Sequence, residues 1–247
     1  MGIFAGKTAF ITGSSRGIGR AAADLLASRG SRVIYHGRTM NDSLIAAAQT
    51  AGNGSIPLAG DLGDSREAEA LVQNLLDREI FPDILVLNAS SQYYANYDNC
   101  GEDEFSDMIR TNISASCYLL RHFLPCMRRK GGGRVIFVGS INGIKPAGRL
   151  AVYGATKAAM MNIAKSAAME NAQYNITVNT ILPGVIETDR NKAALEDKDF
   201  AEQLKNQIPM HRFGLPWECA ELIAFLASDK AAYITGAEIP VAGGWQL

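Results

Sequence analysis

Long apolar runs are missing from this chain, and no stretch approaches the ~18 residues that a membrane-spanning helix needs. The N-terminus reaches its first strand by about Lys7 without an apolar leader, and Gly6 stands where an N-myristoylation signal needs Ser or Thr. No membrane association is expected, and a cytoplasmic location is. Cysteine is scarce and scattered: the four, at 100, 117, 126 and 219, form no C-x-x-C pair, which suits free thiols in a reducing compartment rather than a disulfide framework. The three histidines, His36, His122 and His211, lack the H-E-x-x-H spacing of a zinc hydrolase. Each reads as a surface or satisfied packing residue, and no metal site is expected. An excess of charge is absent too. Basic residues number 24 against 25 acidic ones, a formal net charge of -1, so no bulk field draws the protein to nucleic acid. The one basic run, Arg128-Arg129-Lys130, reads as a helix C-terminus favoured by the macrodipole and stopped by Gly131-Gly132-Gly133.

What is present is a well-buried α/β chain: 247 residues, 47% apolar and only 20% charged, enough for one large domain over 1–247. Short β-branched runs at Thr8 to Thr12, Arg32 to His36, Ile84 to Asn88, Arg134 to Val138 and Ile176 to Leu182 read as strands. Helical patterns fill the gaps at about 17–29, 64–79, 102–129, 152–172 and 216–228. Most strands are apolar throughout rather than alternating, as a parallel sheet covered on both faces requires. The expectation is a single-domain, Rossmann-type, doubly wound parallel sheet with helices on both faces. Its ligands would bind beyond the carboxyl ends of the strands. One segment, Gly184 to Gly214, is long, charged and mixed, and reads as an excursion covering the site.

The strand ends carry the functional signals. After the first strand comes Thr12-Gly13-Ser14-Ser15-Arg16-Gly17-Ile18-Gly19, where glycines let a pyrophosphate approach the free N–H groups of the following helix. This is neither G-x-G-x-x-G nor a P-loop. The second strand ends Tyr35-His36-Gly37-Arg38, without the acid that an NAD site uses on the ribose 2′-hydroxyl. Arg38, with Arg16, can instead clamp a 2′-phosphate, which points to NADP(H). Farther on, Tyr153 and Lys157 lie four residues apart on a predicted helix, hence on one face, with Ser140 just beyond a strand end. A cation ~5 Å from the phenol is worth roughly 3 kcal/mol at an effective dielectric of ~20, about two pKa units. Lys157 is thereby expected to make Tyr153 a proton donor usable near neutrality.

Taken together, these residues resemble the short-chain dehydrogenase/reductase family over essentially the full chain. The glycine motif is similar to Gly13-x-x-x-Gly17-x-Gly19, the adenine-contacting acid to Asp61 before Leu62, and the Asn-Ala-Gly motif to Asn88-Ala89-Ser90. The resemblance implies a catalytic tetrad of Asn112, Ser140, Tyr153 and Lys157, with Asn112 keeping a water in a proton relay toward Lys157. It implies cofactor contacts from Gly13, Ser15, Arg16, Gly17, Ile18, Gly19, Arg38, Asp61, Leu62, Asn88, Ala89, Ser90, Tyr153 and Lys157. The Pro183-Gly184 motif, Ile186 and Thr188 complete that set, Thr188 as the contact to the nicotinamide amide. Three positions depart from the usual pattern: Leu87 and Ser90 replace Asn and Gly around Asn88, and Ala242 replaces an Asp before Gly243-Gly244.

The implied reaction is hydride transfer between NADP(H) and a ketone or secondary alcohol. The chain resembles most the branch labelled 3-oxoacyl-(acyl-carrier-protein) reductase, over Ile176 to Asp189 and Phe225 to Gly244. The implied partners are a small carbonyl or alcohol and, for that branch, an acyl carrier. A sugar, polyol or other small hydroxylated carbonyl is the alternative substrate, and a non-catalytic NADP-binding redox sensor a remote one. The candidate substrate rim is polar and aromatic: Ser91, Gln92, Tyr93, Tyr94, Asn142, Lys145, Arg190, Asn191 and Lys192. Helices around Met108 to Arg129 and from Val152 onward pack against their copies in relatives, which implies a homotetramer.

Overall fold

Strands that are apolar on both faces need cover on both, and the chain supplies it with two separate helix layers. The computed structural model describes residues 2–247. Its strands are β1 (Thr8–Ile11), β2 (Arg32–Gly37), β3 (Ile56–Ala59), β4 (Ile84–Leu87), β5 (Gly133–Val138), β6 (Ile176–Pro183) and β7 (Glu238–Val241). All pair in parallel in the order β3-β2-β1-β4-β5-β6-β7. Alternate residues divide between two cores. Ala9, Ile11, Val33, Tyr35, Val86 and Ile136 face α1 (Gly17–Ser28), α2 (Asp42–Ala51) and α9 (Pro216–Ala227). Phe10, Ile34, Leu85, Val135, Phe137 and Val178 face α3 (Ser65–Asp77), α5 (Ala115–Lys130) and α6 (Ala151–Asn171). The doubly wound arrangement expected from the unbroken apolar runs is the one observed.

The two strands that the apolar runs do not announce, β3 and β7, are the two edges of the sheet, and each contains a proline, Pro57 and Pro240. Proline lacks the N–H that a central strand must donate, so it is tolerated at an edge and weakens the strand pattern there. Helix α2 is a further element that the helical patterns do not announce. It is short, and Asn41 caps it by accepting from Leu44 N at 2.9 Å.

The single helix expected over 102–129 is three pieces: α4 (Glu102–Met108), a π-helical segment (Ile109–Ser114) and α5. The wider π turn coincides with Asn112, whose amide is fully committed to neighbours outside the helix, as described below. The basic end of α5 behaves as the macrodipole argument expects. It stops at Gly131, φ 81°, with Gly132 N bonded back to Met127 O at 3.0 Å. The excursion after β6 is partly helical, with α7 (Lys192–Glu196) and the amphipathic α8 (Lys198–Asn206), and a bridge between Ile186 and Gly214 closes its base.

Edge strand β7 is tied down by one buried amide. Asn179 donates from Nδ2 to Ile234 O at 2.7 Å and accepts from Ala237 N at 3.0 Å. Asn179→Leu strands both backbone groups, so it should cost about 2–4 kcal/mol. Urea unfolding together with hydrogen exchange at Ala237 checks this; an unchanged midpoint with retained protection would show that the amide is dispensable.

Candidate active site

A cleft of about 690 Å³ runs along the carboxyl ends of the strands. At one end is the turn between β1 and α1, held from three sides. Thr12 Oγ1 accepts from Asn88 N at 2.9 Å and Ala89 N at 3.0 Å, while Asn88 Nδ2 donates to Thr12 O at 2.9 Å and Gly13 O at 3.0 Å. Gly13 N donates to His36 Nδ1 at 3.0 Å, and the other ring nitrogen meets Gly60 O at 3.0 Å. An accepting Nδ1 fixes the neutral tautomer, with the proton on Nε2. Gly17 has φ 59°, a conformation that suits glycine. Arg16, the N-cap of α1, makes no side-chain cap, and no acid sits in the first turn. The first N–H groups of α1 are therefore available to an anion beside the turn.

The arginine pair expected for a 2′-phosphate lies at this end. Arg38 is 62% exposed and reaches Asp61 at 3.4 Å. Such an exposed pair is worth at most about 1 kcal/mol, so it gives way easily to a phosphate. Asp61 is anchored for its part by accepting from Gly63 N at 2.8 Å.

At the other end, Tyr153 and Lys157 share the buried face of α6 as their spacing predicts. Lys157 Nζ donates to Val138 O at 2.9 Å and lies 5.6 Å from the centroid of the Tyr153 ring. Ser140 Oγ accepts from Asn142 N at 3.1 Å, which leaves its own proton free to donate into the cleft. The electrostatics correct the expectation for the phenol. Burial raises the Tyr153 pKa, and what opposes it is the Arg190 charge together with hydrogen bonds from Ser140 and Arg190. Lys157 lies against the ring face, and burial, then Arg190, pulls its own pKa down to about 7.

Nearly all the predicted residues meet in this cleft: Gly13, Ser15, Arg16, Gly17, Ile18, Arg38, Asp61, Leu62, Asn88, Ala89, Ser90, Ser140, Tyr153, Lys157, Pro183, Gly184, Ile186 and Thr188 line it, with Gln92, Tyr94, Asn142, Arg190 and Asn191 on the substrate side. Two do not. A Cβ on Gly19 would come within 2.4 Å of Asn88 Nδ2, so this glycine serves the close packing of α1 on the turn. Asn112 is wholly buried behind the wall; its Oδ1 accepts from Ser91 N at 2.7 Å, and its Nδ2 donates to Ser91 O at 3.0 Å and Thr156 Oγ1 at 2.9 Å. Part of the expected rim also turns elsewhere. Tyr93 donates to Asp107 at 2.9 Å, Lys145 to Trp245 O at 2.6 Å, and Lys192 pairs with Glu196 at 3.8 Å. Sequence reasoning missed the apolar wall of Leu195, Phe200, Leu204 and Trp245. The amphipathic pattern of α8 is the signal that carries part of it. No cluster of metal-ligating side chains occurs among the described residues, nor is any helix there long and apolar enough to cross a membrane.

A glycine turn at an uncapped helix end, a tyrosine and lysine one helical turn apart, and a serine donor beside them define a dinucleotide-dependent oxidoreductase site. Comparison with known proteins agrees. The family described as enoyl-(acyl carrier protein) reductase matches residues 13–246. The 3-oxoacyl-(acyl-carrier-protein) reductase FabG of Escherichia coli is 38% identical over 244 residues, 99% of each chain. A 3-oxoacyl (acyl-carrier-protein) reductase from Agrobacterium tumefaciens with NADP bound superposes with TM-score 0.91 at 35% identity, covering 98% of this chain and 95% of that one. The L-sorbose reductase of Gluconobacter frateurii, complexed with NADPH and L-sorbose, gives TM-score 0.91 at 32% identity over 100% and 99%. This chain belongs to the short-chain dehydrogenase/reductase family and is an oxidoreductase of that family.

His36 gives the site an acid limit. Burial pushes its pKa from 6.5 down to about 4, against the Gly60 hydrogen bond and the Asp61 charge. Because the folded value is depressed, its contribution is complete above pH 6.5 and lost as pH falls toward 4, by about 3 kcal/mol in all. His36→Asn, which does not titrate, should therefore narrow its stability deficit relative to wild type by about 2–3 kcal/mol between pH 7 and 4.5. Chemical unfolding at the two pH values measures this, and a constant deficit would contradict it.

Proposed function

We propose that this protein interconverts a ketone and a secondary alcohol with NADP(H), and that Tyr153, Ser140 and Lys157 carry the chemistry. The observation behind this reading is the convergence of these three side chains on a cleft that runs back to the glycine turn. The residues fit the cofactor: the uncapped end of α1 suits the pyrophosphate, and Arg16 with Arg38 suits a 2′-phosphate.

Bound NADPH supplies the hydride to the carbonyl carbon. The chain's residues do the rest. In the reduction direction Tyr153 gives its phenolic proton to the carbonyl oxygen as the C=O π pair moves there, while Ser140 donates a hydrogen bond to the same oxygen and stabilises the developing charge. Lys157, anchored on Val138, keeps two N–H donors for the nicotinamide ribose and returns a proton toward the phenolate. Asn112 acts by position, holding Ser91 and Thr156. Its main-chain carbonyl, which accepts from Ser116 Oγ at 3.0 Å, is the group to which this reading assigns the relay water.

For the substrate, 3-oxoacyl groups on an acyl carrier follow from the names of the relatives. A small sugar-like or hydroxylated carbonyl is the second reading, favoured by the polar groups of Gln92, Asn142 and Arg190 along the cleft. The segment 184–214 covers this half. A cytoplasmic homotetramer, built from one domain per chain, completes the proposal.

Tyr153→Phe should lower kcat by at least ~10²-fold with NADPH affinity nearly intact. NADPH oxidation against a panel of acyl thioesters, ketoses and small ketones tests both function and range, and a variant keeping a third of the turnover would refute the proton-donor role. Arg38→Ala should weaken NADPH by roughly 10- to 150-fold and barely change NADH. Calorimetry with both cofactors decides, since parallel losses would mean that Arg38 only supports its loop.

A further inference from the structure

The substrate half of the cleft holds a guanidinium whose charge bears on the phenol but whose remaining N–H donors have no partner in the reaction. Arg190 sits in the one-turn segment Asp189–Asn191, just after Thr188. Its Nη1 donates to Ser90 Oγ at 3.0 Å and its Nη2 to Ser90 O at 2.7 Å. Ser90 occupies the position at which the family usually carries glycine, so the Oγ half of this clasp depends on the serine. Both acceptors are neutral, and among the described residues Arg190 forms no ion pair. The group is nevertheless close enough to the reacting residues to act on the phenol of Tyr153 and the ammonium of Lys157. Two cations thus face one cavity across Tyr153, and the guanidinium keeps N–H donors beyond those spent on Ser90.

We propose that Arg190, clasped by Ser90, receives a carboxylate of the substrate, so that the ketone reduced here is a small oxo acid with its carboxylate α or β to the carbonyl. A carbonyl oxygen bonded to Tyr153 and Ser140 lies roughly 2.6–3.2 Å from each, and Arg190 neighbours the same phenol, so its reach covers one or two carbons from the reacting centre. A thioester-linked 3-oxoacyl chain is uncharged at that distance and leaves Arg190 without a counterion. The inference rests on the reading of the cleft as an NADP(H)-dependent ketone reductase and sets a small anionic ketone against the carrier-bound thioester.

The test compares acids with their neutral esters: acetoacetate with methyl acetoacetate, and 2-oxobutanoate with methyl 2-oxobutanoate, in wild type, Arg190→Met, Arg190→Lys and Ser90→Gly. Wild type should prefer at least one acid to its ester. Arg190→Met should lower the acid-to-ester ratio of kcat/KM by roughly 10- to 150-fold, the range for a charge-assisted contact, on top of any loss that acid and ester share through the phenol. Arg190→Lys should recover part of the loss, and Ser90→Gly should lower the acid-to-ester ratio by a smaller factor. Calorimetry supplies a readout without turnover: malonate should bind the wild-type complex with NADP⁺ and malonamide should not, and Arg190→Met should abolish the difference. Equal use of acid and ester, reduction of 3-oxoacyl thioesters alone, or equal losses on acid and ester in Arg190→Met would each overturn the carboxylate receptor while leaving the ketone reductase intact. Failure of every carbonyl to oxidise NADPH would instead overturn the function itself, and the malonate titration would still decide for or against an anion site at Arg190.

Discussion

The hydrogen bond from Lys157 Nζ to the Val138 carbonyl, 2.9 Å long and made by a side chain only 1% exposed, sets the geometry on which the site depends. It joins the reacting face of α6 to the carboxyl end of β5. Tyr153 stands one turn earlier on that face, and Ser140 follows Val138 by two residues, so the bond fixes donor, cation and hydroxyl relative to one another. A slip of α6 by one residue would rotate its side chains by about 100° and carry the phenol off the cleft. The cost is also visible: a buried ammonium loses several kcal/mol of hydration, and this one has been pulled down to about 7.

Behind the reacting groups lies a row of polar side chains whose hydrogen bonds are spent on backbone. Thr12 and Asn88 lock β1 to β4, His36 locks the glycine turn to the end of β3, and Asn112 locks the loop after β4 to α6. Each joins two segments that are distant in sequence. Buried polar groups of this kind are stabilising only when satisfied, and these are. Ser140, by contrast, points its hydroxyl proton into the cleft, toward Tyr153. Rigidity and reactivity are thereby assigned to different residues, as preorganised catalysis requires.

Most of this was legible in the sequence where one residue type has one physical reason to be present. Unbroken apolar runs gave the central strands, glycines gave the turn, and the four-residue spacing of Tyr153 and Lys157 gave the shared face. What was not legible depended on partners far away in the chain. Edge strands β3 and β7 carry prolines that argue against a strand until their edge position is known. His36 reads as generic packing until Gly13 and Gly60 are brought to its two nitrogens. The π segment has no marker in a helical pattern. Arg190 and Ser90 are 100 residues apart, and nothing in either stretch announces the other.

Charge along the cleft is graded by burial, and the gradient has a functional consequence. Arg38, exposed and loosely paired with Asp61, is screened by solvent. Lys157, fully enclosed and facing a second cation, holds its proton weakly near neutrality. An anion entering beside Lys157 offsets the repulsion from Arg190 and favours the charged ammonium. Ligand binding and protonation are then linked: the group whose pKa rises on binding takes up a proton. A ligand anion at this end would thus complete the charge behind Tyr153 that the fold alone leaves partial.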